Sequence, residues 1–379
     1  MTSHNIDKIM NRIFENTDTI PTPGIIIASP SNEPDYKYHW IRDSALVMRP
    51  IIDMYSKTKE SKYFHYIINY IENESKIQEL KTLSGLGEPK ININRTPFNG
   101  DWGRPQNDGP ALRGIMLIKI LDLFKYDYEI ISNNVLVPMI IKDLEYILEN
   151  YNKVSFDLWE ENKGWHFYTR MVQLKFMKDC LQRTEYFNKY SIQSNYDKLF
   201  SDLNDHFNGD SIISSFDESG KIVKYEDAAN ILAFCHIDYD EDILNKVSFN
   251  NVLHTCNGLL TFFRKKYSND KLNMIGRYCD DKYYGGQIWL LCTMSLGQVY
   301  MELYKRNNIV KNRSPMHRAK SNPSTEYFIT ANEILEKVLT MDVSLMLPEQ
   351  YNPNTEEFIS AKKLTWNYSE LYELKINLN

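Results

Sequence analysis

Three carboxylates and a tryptophan lie within five residues of this sequence, at Asp157-Leu158-Trp159-Glu160-Glu161. Carboxylates crowded in this way cannot all ionise cheaply, so we expect one of the three pKa values to rise. A carboxyl group with a raised pKa can donate a proton near neutral pH, as a general acid must. The structural alternative is a solvated acidic helix end, and Leu158 and Trp159 make it weaker because solvated faces rarely carry them.

Four further segments combine carboxylates with aromatic side chains: residues 34–43, 101–109, 276–286, and 347–351 together with 364–368. Arginine occurs in three of the five clusters, and Arg and Asp provide planar donors and acceptors suited to sugar hydroxyls. Each segment alone also has a structural explanation. Asp43 fits a helix N-cap, Asp108 the cap of a helix-entry turn, Asp280 and Asp281 a solvated turn, and Glu349 a turn carboxylate.

Taken together, the five clusters favour glycoside hydrolysis, which needs two carboxylates flanking the scissile bond. Competing motifs are missing: the sequence has no HExxH, GxSxG or GxxxxGK[ST] string. A metal site at residues 276–286 would need more ligands than that segment offers. We therefore expect neither a metal nor a cofactor.

Composition and charge argue against several classes of protein. The 379 residues carry 44 basic and 50 acidic side chains, a formal charge of −6, which disfavours binding to nucleic acid. The longest apolar stretch is too short to span a membrane, and residues 1–13 lack the apolar region of a signal peptide. The five cysteines are odd in number and without CxxC spacing, so a disulfide framework or zinc site is not expected.

The elements that must position these clusters are mostly helices. Hydrophobic periodicity predicts twelve of them, at residues 5–16, 43–56, 63–73, 108–126, 133–150, 167–180, 190–206, 227–235, 249–265, 287–304, 325–339 and 364–374. Short strands are expected at 24–28 and 221–224. Long segments at 79–109, 266–286 and 346–363 are predicted to be functional loops, and 307–324 a solvated surface loop. We expect one all-α domain over residues 1–379, with the site built from inter-helix loops.

At these residues the sequence resembles glycoside hydrolase family 15, and specifically its fungal-type glucoamylases. The strings that carry the resemblance occur in the family's order between Gly24 and Tyr368: Arg42-Asp43-Ser44, Trp102-Gly103-Arg104-Pro105-Gln106, Asp157-Leu158-Trp159-Glu160-Glu161, Arg277-Tyr278 and Glu349-Gln350-Tyr351. The resemblance implies an (α/α)6 barrel. It also implies an inverting exo-glucosidase that hydrolyses terminal α-1,4 and, more slowly, α-1,6 bonds of maltodextrin, starch or glycogen.

The resemblance further implies roles for individual residues. Glu160 matches the general acid and Glu349 the general base. Arg42 and Asp43 would hold the terminal glucose, Arg277 would bridge the two sugars at the cut, and Glu161 and Asp281 would bind the leaving-side sugar. The remaining residues assigned to the pocket are Tyr36, Trp40, Trp102, Asp157, Leu158, Trp159 and Trp366. The expected partner is an α-glucan, with no nucleic acid or membrane, and the protein is expected to be a monomer.

Two alternatives remain open. The first is another specificity within the family, such as a trehalase or a dextran-type glucosidase, in which only the leaving-side loops differ. The second is a carbohydrate-binding regulatory module without catalysis, which the presence of both Glu160 and Glu349 disfavours. Asn107 and Cys279-Asp280 depart from the family's pattern and affect subsite affinity rather than the reaction. No starch-binding module follows in the sequence, so soluble glucans are expected as substrates rather than granular starch.

Overall fold

The computed structural model describes residues 2–245, 247, 249–313 and 323–378, and within these it contains twelve helices of nine or more residues. In chain order they are α1 (Thr2–Asp18), α2 (Ile41–Thr58), α3 (Ser61–Ile77), α4 (Asp108–Phe124), α5 (Val137–Asn150), α6 (Phe167–Leu181), α7 (Ile192–Asp202), α8 (Ala228–His236), α9 (Phe249–Lys266), α10 (Leu290–Arg313), α11 (Pro323–Met341) and α12 (Thr365–Leu378). Each corresponds to one of the helices that periodicity predicts.

The helices form two concentric layers. In the inner layer α2, α4, α6, α8, α10 and α12 form a closed ring, in which each helix contacts the next and α12 contacts α2. Each outer helix packs mainly on one inner helix: α1 on α12, α3 on α2, α5 on α4, α7 on α6, α9 on α8 and α11 on α10. This architecture is an (α/α)6 barrel, and the predicted fold class is confirmed.

The sequence explains which helices lie inside. Every residue of α8 is buried, and α4 is apolar on nearly all sides, as expected for helices surrounded by protein. The outer helix α5 buries only one stripe, which includes Met139, Ile140, Leu144 and Ile147. At Gly114 of α4 a Cβ atom would lie 2.3 Å from the Phe176 ring of α6, so only glycine permits this approach of two inner helices.

Short antiparallel strands precede three of the inner helices. β1 (Tyr38–Trp40) runs into α2, β4 (Lys163–His166) into α6, and β9 (Ile288–Trp289) into α10. The other strands are β2 (Lys90–Asn92), β3 (Ser155–Phe156), β5 (Phe207–Asn208), β6 (Ser211–Ile212), β7 (Ser215–Asp217), β8 (Ile222–Lys224), β10 (Gln350–Asn352) and β11 (Glu357–Ile359). Their sheets are β1-β2, β3-β4-β7-β8, β5-β6 and β9-β10-β11. Three of these small sheets, all except β5-β6, therefore lie at the N-terminal ends of inner helices.

Three predictions about local structure are wrong. Residues 24–28 form no strand, because their backbone groups bond singly to other segments, as Ile27 N–H does to Asn16 O and Ala28 N–H to Tyr38 O. Residues 307–313 and 323–324 are not loop but belong to α10 and α11, while 314–322 lie outside the described residues. Asp108 is the first residue of α4 rather than a side-chain cap.

Among the helices of the described ranges, none is both long and apolar enough to cross a bilayer. The five cysteines are all free thiols.

Candidate active site

A pocket at the N-terminal ends of the inner helices brings the sequence clusters together. It encloses about 460 Å3, including the solvent at its mouth, which is within the usual size of small-molecule sites. Fourteen residues line it: Ala28, Tyr36, Trp40, Arg42, Asp43, Leu158, Trp159, Glu160, Arg277, Trp289, Leu291, Glu349, Leu364 and Trp366. Ten of them belong to the predicted set, and Ala28, Trp289, Leu291 and Leu364 do not.

Glu160 lies in the turn between β3 and β4 with a φ of +66°, a left-handed conformation that is uncommon outside glycine. Asp157 supports this turn: its Oδ1 accepts hydrogen bonds from the backbone N–H groups of Glu161 (2.8 Å) and Asn162 (3.0 Å). The other oxygen of Asp157, Oδ2, lies 3.5 Å from Lys224 Nζ. Both carboxylate oxygens are therefore directed at protein groups. Asp157 does not line the pocket but shapes the turn that carries Glu160.

The Glu160 carboxyl group receives hydrogen bonds on both oxygens. Oε1 accepts from Trp40 Nε1 (2.7 Å), Gln106 Nε2 (3.0 Å) and Arg42 at 3.5 Å. Oε2 accepts from Trp102 Nε1 at 2.8 Å. Donors from two separate segments, 34–43 and 101–109, therefore fix the carboxyl group at the pocket wall. Trp102 stands at the rim rather than in the pocket lining and contributes through this bond.

Arg42 is the buried centre of charge in this half of the site. Its guanidinium donates to Gln106 Oε1 (2.9 Å) and Asp108 Oδ2 (3.0 Å), and its Nε lies 3.7 Å from Asp43 Oδ2. Burial raises the pKa of Asp43 to about 6, while the positive charge of Arg42 opposes that rise. Arg42 Nε is buried and has no hydrogen-bond partner among the described residues, so it can serve a ligand.

Glu349 lies directly before β10 and is only 2% exposed. Burial raises its pKa to about 7, although hydrogen bonds from Ser360 and Tyr36 and the charge of Arg277 act in the opposite direction. Ser360 Oγ donates to Glu349 Oε2, and Tyr36 shares a hydrogen bond of 2.8 Å with Tyr283. The sequence predicts that a carboxyl group with a raised pKa lies within residues 157–161. In that cluster the pKa of Asp157 is lowered instead, because Lys224, His166 and backbone donors outweigh the effect of burial.

Arg277 and Glu161 form an ion-pair cluster at the side of the pocket. Asp281 binds Arg277 through both oxygens, at 2.8 and 2.7 Å, and Glu161 Oε1 lies 2.8 Å from Arg277 NH2. Glu161 Oε2 accepts from Tyr278 OH (2.5 Å) and Lys224 Nζ (3.1 Å). Asp281 is absent from the pocket lining, because its carboxylate is directed at Arg277.

Trp366 joins the pocket to a buried polar chain inside the barrel. Its Nε1 donates to Glu370 Oε1 at 2.8 Å, and the same oxygen lies 3.0 Å from His236 Nε2. The His236 Nδ1 atom is 2.7 Å from Tyr168 OH. This chain fills the barrel beneath Trp366 and fixes the orientation of the indole ring.

Sequence reasoning missed several contributors. Lys90 is buried, with its ammonium 3.2 Å from the ring centroid of Trp102 and 4.6 Å from that of Trp40, and burial lowers its pKa to about 8. It thus contacts both tryptophans that bind Glu160. Trp289 lines the pocket with an indole N–H that has no partner among the described residues. A signal existed for Gln106 and for Leu364, which lie in segments already singled out.

Comparisons with known proteins agree with this geometry. The sequence profile for "Glycosyl hydrolases family 15" matches residues 7–375. "Glucoamylase-1" of Arthroderma benhamiae is 32% identical over 76% of this chain and 50% of its own length. "Glucoamylase" of Blastobotrys adeninivorans is 30% identical over 95% of this chain and 68% of its own. The chain thus spans about half the length of the first relative and two thirds of the second.

A solved structure shows the same likeness in three dimensions. The family 15 glucoamylase from Hypocrea jecorina superposes with a TM-score of 0.84 and 26% identity, over 100% of this chain and 72% of that one. The resemblance that the ordered motifs indicate is thereby confirmed. From the profile match, the relatives and the barrel, we conclude that this chain belongs to glycosyl hydrolase family 15.

Proposed function

We propose that this protein is an inverting exo-glucosidase that hydrolyses terminal α-1,4 and, more slowly, α-1,6 bonds of maltodextrin, starch or glycogen and releases β-D-glucose. The observation that carries the proposal is that Glu160 and Glu349, from distant parts of the chain, line one pocket. Glycoside hydrolysis with inversion needs two such carboxyl groups on opposite sides of the scissile bond. The glucoamylase names of the relatives support the choice of substrate.

The hydrogen bonds of Glu160 distinguish its two oxygens. Oε1 already accepts three donors, whereas Oε2 accepts only the Trp102 indole, so Oε2 is the oxygen with room for a proton. Glu160 would protonate the departing glycosidic oxygen from there. Glu349 would accept a proton from the water that attacks the opposite face of the sugar.

The carboxyl groups of Glu160 and Glu349 have separate hydrogen-bond partners, and among the described residues no hydrogen bond joins the two groups. We expect their carboxyl carbons to be roughly 6.5–9.5 Å apart, which leaves space for one water molecule. Buried side chains of the inner ring, such as Glu370 and His236, occupy the barrel interior beneath the pocket. A pocket that ends inside the protein admits a chain terminus but not a continuous chain, which favours cleavage from the end.

Several groups are suited to hold the terminal glucose. Arg42 Nε and Trp289 Nε1 are buried donors that have no hydrogen-bond partner in the described part of the chain, and Asp43 provides acceptors close to Arg42. Sugar hydroxyls would satisfy these atoms, which are costly to leave unpaired. Arg277 would reach both sugars at the cut, and Glu161 the leaving-side sugar, while Asp281 would position Arg277. The walls would be formed by Tyr36, Trp40, Trp102 and Trp366, and by the backbone of Leu158 and Trp159.

We further propose that residues 1–379 act as one catalytic domain and as a monomer. Product analysis tests the activity: NMR of the first product from maltose, isomaltose and trehalose should show β-glucose from maltose, less from isomaltose and none from trehalose. Formation of the α anomer at the carbon of the cleaved bond, as distinct from the reducing-end glucose that maltose already contains as both anomers, would contradict inversion. Preferred cleavage of trehalose or isomaltose would indicate the other specificities of the family, and no product from any of the three would favour a binding module.

Removing the Ser360 hydroxyl should shift the pH profile. A general base must be ionised, and Glu349 has a pKa raised to about 7, so kcat/KM should fall as the pH drops below about 7. The Ser360 hydrogen bond stabilises the ionised form of Glu349, so Ser360→Ala should raise the pKa of Glu349 and shift the acidic limb of the kcat/KM profile to higher pH. A hydrogen bond to a charged group contributes roughly 1.5 kcal/mol, which corresponds to about one pH unit.

The measurement is kcat/KM for maltose as a function of pH, compared with Ser219→Ala. Ser219 also donates to a carboxylate, Asp217, but on an exposed turn, so this variant should keep the profile of the native protein. If the acidic limb of Ser360→Ala shifts to lower pH or does not shift, Glu349 does not control it.

A further inference from the structure

Lys224 is the last residue of β8, an edge strand of the sheet β3-β4-β7-β8. The turn that carries Glu160 joins β3 to β4, in the other half of the same sheet. The Lys224 side chain is nevertheless directed at this turn, since its ammonium lies 3.1 Å from Glu161 and 3.5 Å from Asp157. Its side chain is only 12% exposed, and the proposed reaction gives this buried cation no role.

Three carboxylates share Lys224 as a counter-ion. Besides Glu161 and Asp157, Asp227 Oδ2 lies 3.9 Å from the ammonium. Asp157 and Asp227 are almost fully buried, and a buried carboxylate without a compensating positive charge is costly. Burial acts to raise the pKa of both groups, and the charge of Lys224 is the strongest influence in the opposite direction. Lys224 therefore keeps both carboxylates in their ionised form.

The two buried carboxylates hold the backbone and the side chain next to the proposed acid. Asp157 Oδ1 accepts two backbone N–H groups of the turn, which supports the left-handed φ of +66° at Glu160. A residue other than glycine keeps such a conformation only where its surroundings enforce it. Asp227 Oδ1 accepts from Trp159 Nε1 at 2.9 Å and thereby fixes the residue directly before Glu160.

Other cations do not replace Lys224. Within the part of the chain that the structure describes, Asp157 and Asp227 form ion pairs with Lys224 alone. Arg277 pairs with two other carboxylates. His166 also faces Asp157, but burial lowers the pKa of His166, so its ring is largely uncharged at neutral pH. Removal of the ammonium would therefore leave two buried carboxylates without a counter-ion.

We propose that Lys224 is a positioning residue for Glu160: by pairing with Asp157 and Asp227, it holds the turn that directs the Glu160 carboxyl group at the glycosidic oxygen. This inference rests on the proposed function, since it takes Glu160 as the acid. Lys224 is absent from the pocket lining and acts through the turn. Without its charge the turn should relax, and a displacement of about 1 Å at a reacting group can cost roughly 10²-fold in rate.

The test uses two aryl α-glucosides whose leaving groups are similar in size but differ in their need for a proton. 4-Nitrophenolate departs with little protonation, whereas 4-methoxyphenolate needs an acid. Lys224→Met should lower kcat for the 4-methoxyphenyl substrate by about 10²-fold, and the loss for the 4-nitrophenyl substrate should be about ten-fold smaller. Lys224→Arg, which keeps the charge, should retain the native ratio of the two rates.

Lys163→Met is the matched control, because Lys163 lies in β4 of the same sheet and pairs with the exposed Glu218. Equal losses for the two substrates in Lys224→Met would overturn the inference, because a residue that only stabilises the fold or binds the leaving group affects both alike. If Lys224→Met does not fold, Lys224→Gln provides the same comparison, since its amide can still donate to a carboxylate.

Crystal structures separate this inference from failure of the proposed function. In Lys224→Met the Glu160 carboxyl group should move beyond hydrogen-bond distance of Trp40 Nε1, which lies 2.7 Å away in the native protein. If the native protein cleaves neither glucoside but this displacement occurs, the positioning stands and the activity does not. An undisplaced carboxyl group in Lys224→Met refutes the positioning.

Discussion

Glu160→Gln is expected to lower kcat for maltose by about 10²- to 10⁴-fold, the usual contribution of general acid catalysis. The glucose leaving group of maltose is a poor one and needs a proton as the bond breaks. Glutamine is isosteric, and its amide oxygen can still accept the bond from Trp40, while the bond from Trp102 at the rim is lost, so the pocket should keep its overall shape. The loss should therefore appear mainly in kcat rather than in KM.

The substrate α-glucosyl fluoride distinguishes an acid from a residue that only shapes the pocket. Fluoride departs without protonation, so Glu160→Gln should hydrolyse this substrate at a rate much closer to that of the native protein. Glu218→Gln is the matched control, since Glu218 is an exposed carboxylate paired with Lys163 in the same sheet, and both substrates should be unaffected. If Glu160→Gln loses maltose and α-glucosyl fluoride hydrolysis equally, Glu160 is not the acid.

Glu349→Ala is expected to lower hydrolysis of both maltose and α-glucosyl fluoride by about 10²- to 10⁴-fold. Activation of water is needed whichever group leaves, so the better leaving group should not help. The removed side chain vacates a buried site next to Ser360 and Tyr36, which a small anion can enter. Azide needs no base, and it should attack α-glucosyl fluoride from that side and give β-glucosyl azide.

The measurement is the rate of fluoride release with and without azide, with the anomer of the product determined by NMR. Glu160→Gln serves as the comparison, because its base is intact and azide should bring no acceleration. Unchanged thermal unfolding of both variants would show that the losses are chemical. Fluoride release by Glu349→Ala above one tenth of the native rate, or a lack of azide rescue, would remove Glu349 from the role of base.

Much of the fold follows from local sequence properties. Apolar residues at helical spacing predict all twelve helices. The contrast between α8, which is apolar except for Asn230 and His236, and α5, which is apolar on one stripe, distinguishes the inner layer from the outer one. The wrong strand prediction has a physical cause. Residues 24–28 are apolar as a strand would be, but strand formation needs a partner, and their neighbours offer only single hydrogen bonds.

The proposed catalytic residues were also identifiable from sequence, because unusual side-chain types at fixed spacing persist however the loops are folded. Glu160 and Glu349 stand out through the strings in which they occur, and both line the pocket. The supporting residues do not stand out. Lys90, Lys224 and Ser360 resemble ordinary surface residues of polar loops, and only their surroundings give them a function.

The sequence by itself determined the periodicity of the helices, the order of the motifs and the identity of the two carboxylates. Only the tertiary structure decided which groups meet. The Trp40 bond to Glu160 spans 120 residues and the Lys224 bond to Glu161 spans 63. These contacts exist because a closed ring of inner helices gathers distant loops at one end of the barrel. The raised pKa of Glu349 has the same origin, since burial depends on everything that surrounds the residue and not on its neighbours in the chain.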